Sequence, residues 1–99
     1  MHIAIAPFRL KNGITQDELL TASDGFEADF VSTQTGIIRR ILVKDDQGGF
    51  ADIVCFEDLA AIDRVLEAEQ NSEVCAKFFS IMDDDDSHRV FEVLKTYES

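Results

Sequence analysis

The sequence predicts one α+β domain over residues 1–99, a four-stranded antiparallel sheet with two helices on one face, in the order β-α-β-β-α-β. Three observations lead there. Runs of β-branched and aromatic residues end at turns rich in Gly, Asn and Asp. Capped segments with apolar residues at helical spacing fall between those runs. The strands, finally, are apolar on both faces, which a sheet with one wet face is not.

His2 to Leu10 reads as the first strand and ends at Lys11-Asn12-Gly13. Pro7 cannot donate to a central ladder, so a bulge, an edge position or an early strand end is expected there. Thr15-Gln16-Asp17-Glu18 matches a capping box, a hydroxyl for the exposed amide with a glutamate three residues on. Leu19, Ala22, Phe26 and Phe30 then recur on one face, giving a helix from Thr15 to Val31 that Gly25 weakens. Ile37 to Lys44 and Phe50 to Phe56 form a hairpin around Asp45-Asp46-Gln47-Gly48-Gly49. Glu57-Asp58 supplies acids at the start of a second helix, whose buried stripe is expected at Leu59, Ile62 and Leu66. A short helical turn follows from Ser72 to Phe79, carrying Cys75, Phe78 and Phe79 inward. Asp83 to Asp86 read as an acidic, solvated loop and Arg89 to Tyr97 as the last strand.

In the third strand Phe50, Val54 and Phe56 point one way, and Ala51, Ile53 and Cys55 the other. The last strand sets Val90 and Leu94 against Phe91 and Val93. Both right-handed crossovers of this topology place their helices on the same side. The opposite face therefore needs another cover, and a second copy of the chain is the simplest.

Composition narrows the function classes. With 45 % hydrophobic residues the chain is a packed globule, and eight Phe with one Tyr and no Trp fill interior space. A net charge of −11, from 20 acids and 9 bases, repels phosphate backbones and anionic lipid, so neither nucleic acid nor membrane is an expected partner. The N-terminus runs directly into His2-Ile3-Ala4-Ile5, with no basic region or long apolar stretch, and the cytoplasm is the expected location. Cys55 and Cys75 lie 20 residues apart, which indicates neither a disulfide framework nor a metal knuckle. No metal is expected and no cofactor is implied by any motif: there is no phosphate-binding glycine loop, GxSxG or HExxH.

Several strings, taken together, resemble one family across nearly the whole chain. These are Phe8-Arg9-Leu10-Lys11 before the first helix, Thr35-Gly36-Ile37 with Arg39-Arg40, the stretch from Gly49 to Asp58, and His88 ahead of the last strand. They look like the dimeric α/β-barrel superfamily, ferredoxin-like domains that pack sheet to sheet as homodimers, and in particular its antibiotic-biosynthesis-monooxygenase-like group. The resemblance implies a βαββαβ domain forming a dimeric barrel. It also implies a range of activities, from oxygenases to isomerases and decarboxylases. The oxygenases of that group use an early Asn, a Trp near the end of the third strand and, for haem, a His on the second helix. Here Asn12 falls in a turn, Phe56 stands at the Trp-like position, and the second helix holds no His. Haem chemistry is accordingly not expected.

Asp52 is the leading candidate for a site. It lies mid-strand between Phe50 and Val54, where a carboxylate must find a cation or donors or take up a proton. Arg39 or Arg40 on the paired strand, one on each face, would supply the cation. Glu92 poses the same problem in the last strand. The functional reading is a polar patch in a ligand cavity; the structural one is a satisfied ion-pair network at the dimer seam. His2 and His88, both at strand starts on neighbouring strands, would meet near neutral pH chemistry if they approached each other, and otherwise are exposed strand ends. Cys55 and Cys75 read as core residues, since no base or positive field accompanies either. The acidic run Asp83–Asp86 lacks the alternating ligands and glycine of a calcium loop.

These features favour a homodimeric small-molecule-binding protein, with Asp52, Arg39, Arg40, His88 and Glu92 as candidate ligand contacts. The alternatives are a cofactor-independent monooxygenase or isomerase, and a structural or interaction module. A polar, ligand-sized cavity at Asp52, an arginine and His88 would favour the first two; a cavity filled by the phenylalanines would favour the third.

Overall fold

A computed structural model describes residues 1–83 and 87–99. The elements are β1 (His2–Leu10), α1 (Gln16–Asp29), a single 3-10 turn (Val31–Thr33), β2 (Ile37–Lys44), β3 (Phe50–Phe56), α2 (Leu59–Gln70), α3 (Glu73–Phe79), β4 (Met82–Asp83) and β5 (Arg89–Glu92). The expected α+β architecture is present, with five strands and three helices among the described residues. All strand pairs are antiparallel, in the order β2-β3-β1, and β4 and β5 share the remaining edge of β1.

Local chemistry explains the element ends. Thr15 Oγ1 accepts from the Glu18 amide at 3.1 Å while the Thr15 amide donates to Glu18 Oε1 at 3.3 Å, so the capping box closes on both sides. Asp58 caps α2 by accepting from the Ala61 amide at 2.8 Å, and Ser72 caps α3 through the Cys75 amide at 3.2 Å. In the hairpin, Asp45 Oδ1 accepts from the amides of Gln47 and Gly49, both at 2.8 Å.

Four expectations are corrected. The first helix ends at Asp29, because beyond Phe30 the Thr33 and Gln34 amides turn to the tighter partners Phe30 and Val31, three residues back. The buried stripe of α2 is Ala61, Ile62 and Val65, while Leu59 and Leu66 are exposed; the Asp58 cap fixes the helix phase so that Ala61 faces the sheet. The last strand stops at Glu92, although the Val93 amide still donates to the Met1 carbonyl at 2.9 Å. Pro7 lies in an unbroken central strand. Pairing of β1 with β5 covers His2–Ile5 and with β4 covers Arg9–Leu10, so among the described residues Pro7 is paired on one side only, with Ala51 of β3. Asp83 belongs to β4, and the rest of the acidic run lies outside the described residues.

The two sheet faces differ in cover. Phe8, Leu42, Phe50, Val54 and Phe56 face the helices and join Leu19, Phe26, Phe30, Ile62, Val65, Cys75 and Phe78 in the core. The Phe26 and Phe78 rings stack with centroids 4.4 Å apart. The opposite face carries Ile3, Ile5, Ile41, Val43, Ile53 and Phe91, in register across β5, β1, β3 and β2. Ile41, Val43 and Phe91 are 40 %, 37 % and 40 % exposed, an apolar patch wider than scattered surface residues make.

Candidate functional site

One irregularity in β2 decides which arginine enters the interior. Ile37 pairs with Phe56 and Arg39 with Cys55, so Ile38 is an extra residue and the strand bulges. Ile37 faces the core, and simple alternation would send Arg39 after it. The bulge reverses that phase: Arg40 pairs beside Val54 and points to the helices, whereas Arg39 lies exposed with Cys55 on the opposite face. Arg39 is therefore not part of the interior site.

Asp52 also points to the helices, and Arg40 holds it. Arg40 Nε lies 3.0 Å from Oδ1 and 3.1 Å from Oδ2. The other guanidinium nitrogens reach α1: Nη2 donates to Ser23 Oγ at 2.8 Å and Nη1 to Glu27 Oε1 at 3.4 Å. The guanidinium lies over Phe26, 4.9 Å from the ring centroid, and 5.5 Å from that of Phe78. The Arg40 and Asp52 side chains are only 7 % and 14 % exposed. Burial pushes the Asp52 carboxyl above the ordinary carboxylate value, and Arg40 counteracts that push. The network expected at the dimer seam thus lies on the helix side, since the parity of β3 places Asp52 with Phe50 and Val54.

This pair forms part of the wall of a cavity of about 560 Å³ between sheet and helices. Phe8, Phe26, Phe30, Phe56 and Phe79 supply aromatic lining, with Ala4, Ala6 and Val54 at the sheet and Ile62, Val65 and Leu66 at α2. The polar groups are Arg40, Asp52, Glu69, Asp83, Ser87 and His88. Glu69, from the last turn of α2, has a carboxyl pushed up to about 7, first by burial and then by the Asp52 charge. The Cys75 thiol on α3 is also raised, mainly by burial, in keeping with a core residue.

Of the residues expected to contact a ligand, Asp52, Arg40 and His88 converge on this cavity. Glu92 does not: it is exposed on β5, opposite His2. His2 and His88 do not come together. The β1–β5 register puts His2 level with Glu92, so His88 lies about 13 Å further along the edge. His2 Nδ1 is buried with no hydrogen-bond partner among the described residues. No group of three or more metal-ligating side chains occurs among the described residues.

Ser23, Glu27 and Glu69 were not singled out from sequence, yet two of them carried a signal. Ser23 falls on the apolar stripe of α1, four residues after Leu19 and three before Phe26. Glu69 continues the stripe of α2, seven after Ile62 and four after Val65. A polar residue on a buried stripe needs a partner or a purpose.

The fold matches solved structures over essentially its full length. A single-site variant of SnoaB, a cofactor-independent oxygenase from Streptomyces nogalater, superposes with a TM-score of 0.78 at 16 % identity, covering 99 % of this chain and 97 % of that one. A second SnoaB structure gives 0.75 at 18 % identity over the same shares. An antibiotic biosynthesis monooxygenase gives 0.72 at 18 % identity, covering 96 % of this chain and 100 % of the other. The chain therefore has the ferredoxin-like fold of the antibiotic biosynthesis monooxygenases, as its strings implied. No protein-family model and no curated protein matches the sequence.

Proposed function

We propose that the chain works as a homodimer that binds a small organic molecule in the cavity between sheet and helices, with Arg40, Asp52, Glu69 and His88 as its polar contacts. The observation that carries this reading is the cavity: about 560 Å³, largely apolar, with a few convergent polar groups. Ligand pockets have that size and composition, whereas packed cores hold few voids larger than a water molecule. Phenylalanines that filled the interior would have favoured a purely structural module; here they line a space. The homodimer reading rests on the apolar patch of Ile41, Val43 and Phe91 on the helix-free face. The acidic surface suits a dissolved, cytoplasmic protein that avoids nucleic acid and anionic membranes.

The test uses Ala6, which lines the cavity and is exposed enough to accept a larger side chain without displacing the core. Native chain should take up a neutral aromatic probe such as 1-naphthol, one molecule per chain at saturation. Ala6→Trp should keep the circular dichroism spectrum and lose that uptake. Equal uptake by both would place the probe elsewhere and end the reading.

A cofactor-independent oxygenase is the second reading, favoured by the likeness in fold to SnoaB. It predicts oxygen consumption with an aromatic substrate in the absence of added metal or flavin. Phe56, at the position where the resemblance implies Trp, sets it behind simple binding.

A further inference from the structure

A groove of about 740 Å³ lies on the outer side of the helices, between α1 and α3. Its floor is apolar: the stacked rings of Phe26 and Phe78, both buried, with Val74 and Ile81 beside them. Helical periodicity shapes the α1 wall. Thr21 and Ala22, Gly25 and Asp29 follow Glu18 at spacings of three and four, so they form one stripe from the first turn of the helix to its last. The middle of that wall is small and its ends are acidic. Asp17 and Glu18 stand at one end and Asp29 at the other, about 18 Å apart along the axis.

Two residues of this wall have no explanation within the fold. Gly25 is exposed in the helix interior, and a Cβ built on it meets nothing within 4 Å. Glycine weakens a helix, and no close contact inside the chain requires one here. What it does allow is the close approach of a backbone from outside. Asp29 stands in the last turn of α1, at the negative end of the helix dipole, and that turn holds no basic residue. Neither Asp17 nor Asp29 takes part in an ion pair among the described residues. Asp17 and Glu18, by contrast, suit a helix start, where Glu18 also closes the capping box.

We propose that this groove docks a basic amphipathic helix of another protein, whose apolar face covers Phe26, Phe78 and Ile81 and whose lysines or arginines reach the acids at both ends. Charge selects the occupant. Among the charged lining residues, Asp17, Glu18 and Asp29 oppose Lys77 alone, so an acidic segment is repelled and a basic one attracted. A cation beside Asp29 also relieves its conflict with the helix dipole. Shape selects a helix over a strand, because both walls are helices and offer no sheet edge to extend. The helices of a second copy fit poorly. In α1 every charged residue is an acid, α2 sets Arg64 against Asp63, Glu67 and Glu69, and α3, with 7 residues, is too short to reach from Asp17 to Asp29. The groove is separate from the sheet-side cavity, although Phe26 borders both.

The probe is a synthetic peptide of about 15 residues, long enough as a helix to span the groove, with a leucine stripe and two lysines at each end. One control replaces its lysines by glutamates; the other keeps the composition but scatters the leucines so that no stripe forms. Fluorescence anisotropy against native chain should show one lysine peptide per chain, bound about tenfold more tightly than either control and weakened by added salt. Amide shifts should fall on Thr21, Gly25, Val74 and Lys77. Gly25→Gln puts a side chain into the open space, so it should keep the circular dichroism spectrum and lose about tenfold in affinity. Thr21→Arg, at an exposed position of the same wall, should do the same and serves if the first variant misfolds. Asp29→Asn should weaken binding about threefold, whereas Asp63→Asn, an exposed acid of α2 outside the groove, should leave it unchanged. Equal affinity for either control peptide, native affinity in folded Gly25→Gln or Thr21→Arg, shifts confined to the helix-free face, or no saturable binding would each overturn the inference. So would a native chain that sediments as a dimer while Gly25→Gln sediments as a monomer, which would assign the groove to a second copy.

Discussion

Arg40 grips Asp52 side-on, its Nε reaching both carboxylate oxygens at 3.0 and 3.1 Å, in a setting where neither side chain is more than 14 % exposed. Buried ions of this kind are asymmetric in their consequences. Removing the cation strands an uncompensated carboxylate in an apolar wall, whereas neutralising the acid leaves a guanidinium that still has Ser23 and Glu27.

Arg40→Met should therefore destabilise the fold by about 3–5 kcal/mol, and Asp52→Asn by about 1–3 kcal/mol. Arg39→Met should melt within about 0.5 kcal/mol of the parent, since Arg39 is exposed on the other face. Denaturant unfolding of the three variants measures this order, and an equal loss at Arg39 and Arg40 would contradict the bulge assignment.

Adjacent residues of β3 should fail differently when made charged. Val54 packs against the core, so Val54→Lys should unfold the chain. Ile53 lies on the helix-free face, so Ile53→Lys should keep the fold and release monomers from the proposed homodimer. Sedimentation with circular dichroism separates the cases: a native chain that sediments as a monomer at micromolar concentration would remove the dimer.

The contrast between those neighbours was legible before any coordinates, because a period of two sorts Phe50, Val54 and Phe56 from Ala51, Ile53 and Cys55 whatever the register. Which set faced the helices was not. That follows from the chain's handed crossovers acting on real strand positions. The choice between Arg39 and Arg40 was likewise open, since the bulge at Ile38 leaves no mark in a run of β-branched and basic residues. The stripe of α2 was misjudged for a related reason: Leu59 and Leu66 outweigh Ala61 in hydrophobicity, but the close approach of α2 to Gly36 admits only the small side chain. Glu69 escaped notice because its significance depends on the space beside it, and a cavity is a property of packing that no local spacing encodes.

Gly36 shows how tight that approach is. Its φ is +92°, and a Cβ built there would stand 2.6 Å from the Ala61 Cβ. Gly36→Ala should cost about 2–4 kcal/mol, the sum of an unfavourable backbone conformation and overpacking against α2. Gly25→Ala, with open space around it in an exposed helix position, should be neutral or slightly stabilising. A melting comparison of the two reads the difference directly.

Glu69 also ties stability to pH. Its carboxyl value in the folded chain, about 7, lies above the ordinary 4.5, so the folded chain holds the proton over that window and the unfolded chain does not. The contribution is therefore fully present below about pH 4.5 and is lost as pH rises towards 7. Parent and Glu69→Gln melted side by side from pH 5 to pH 8 should diverge, the parent losing stability relative to the variant as pH rises. Parallel curves would mean that Glu69 titrates as an exposed glutamate.

The most direct test of the cavity as a binding site is a proton–nitrogen and methyl correlation titration of native chain with 1-naphthol. Saturating shifts at one molecule per chain, concentrated on Ala4, Ala6, Val54, Ile62 and Val65, are the predicted result, because these residues line the cavity from both sides. Shifts confined to Ile5, Ile41 and Ile53 of the helix-free face, or no saturable shifts at all, would contradict it.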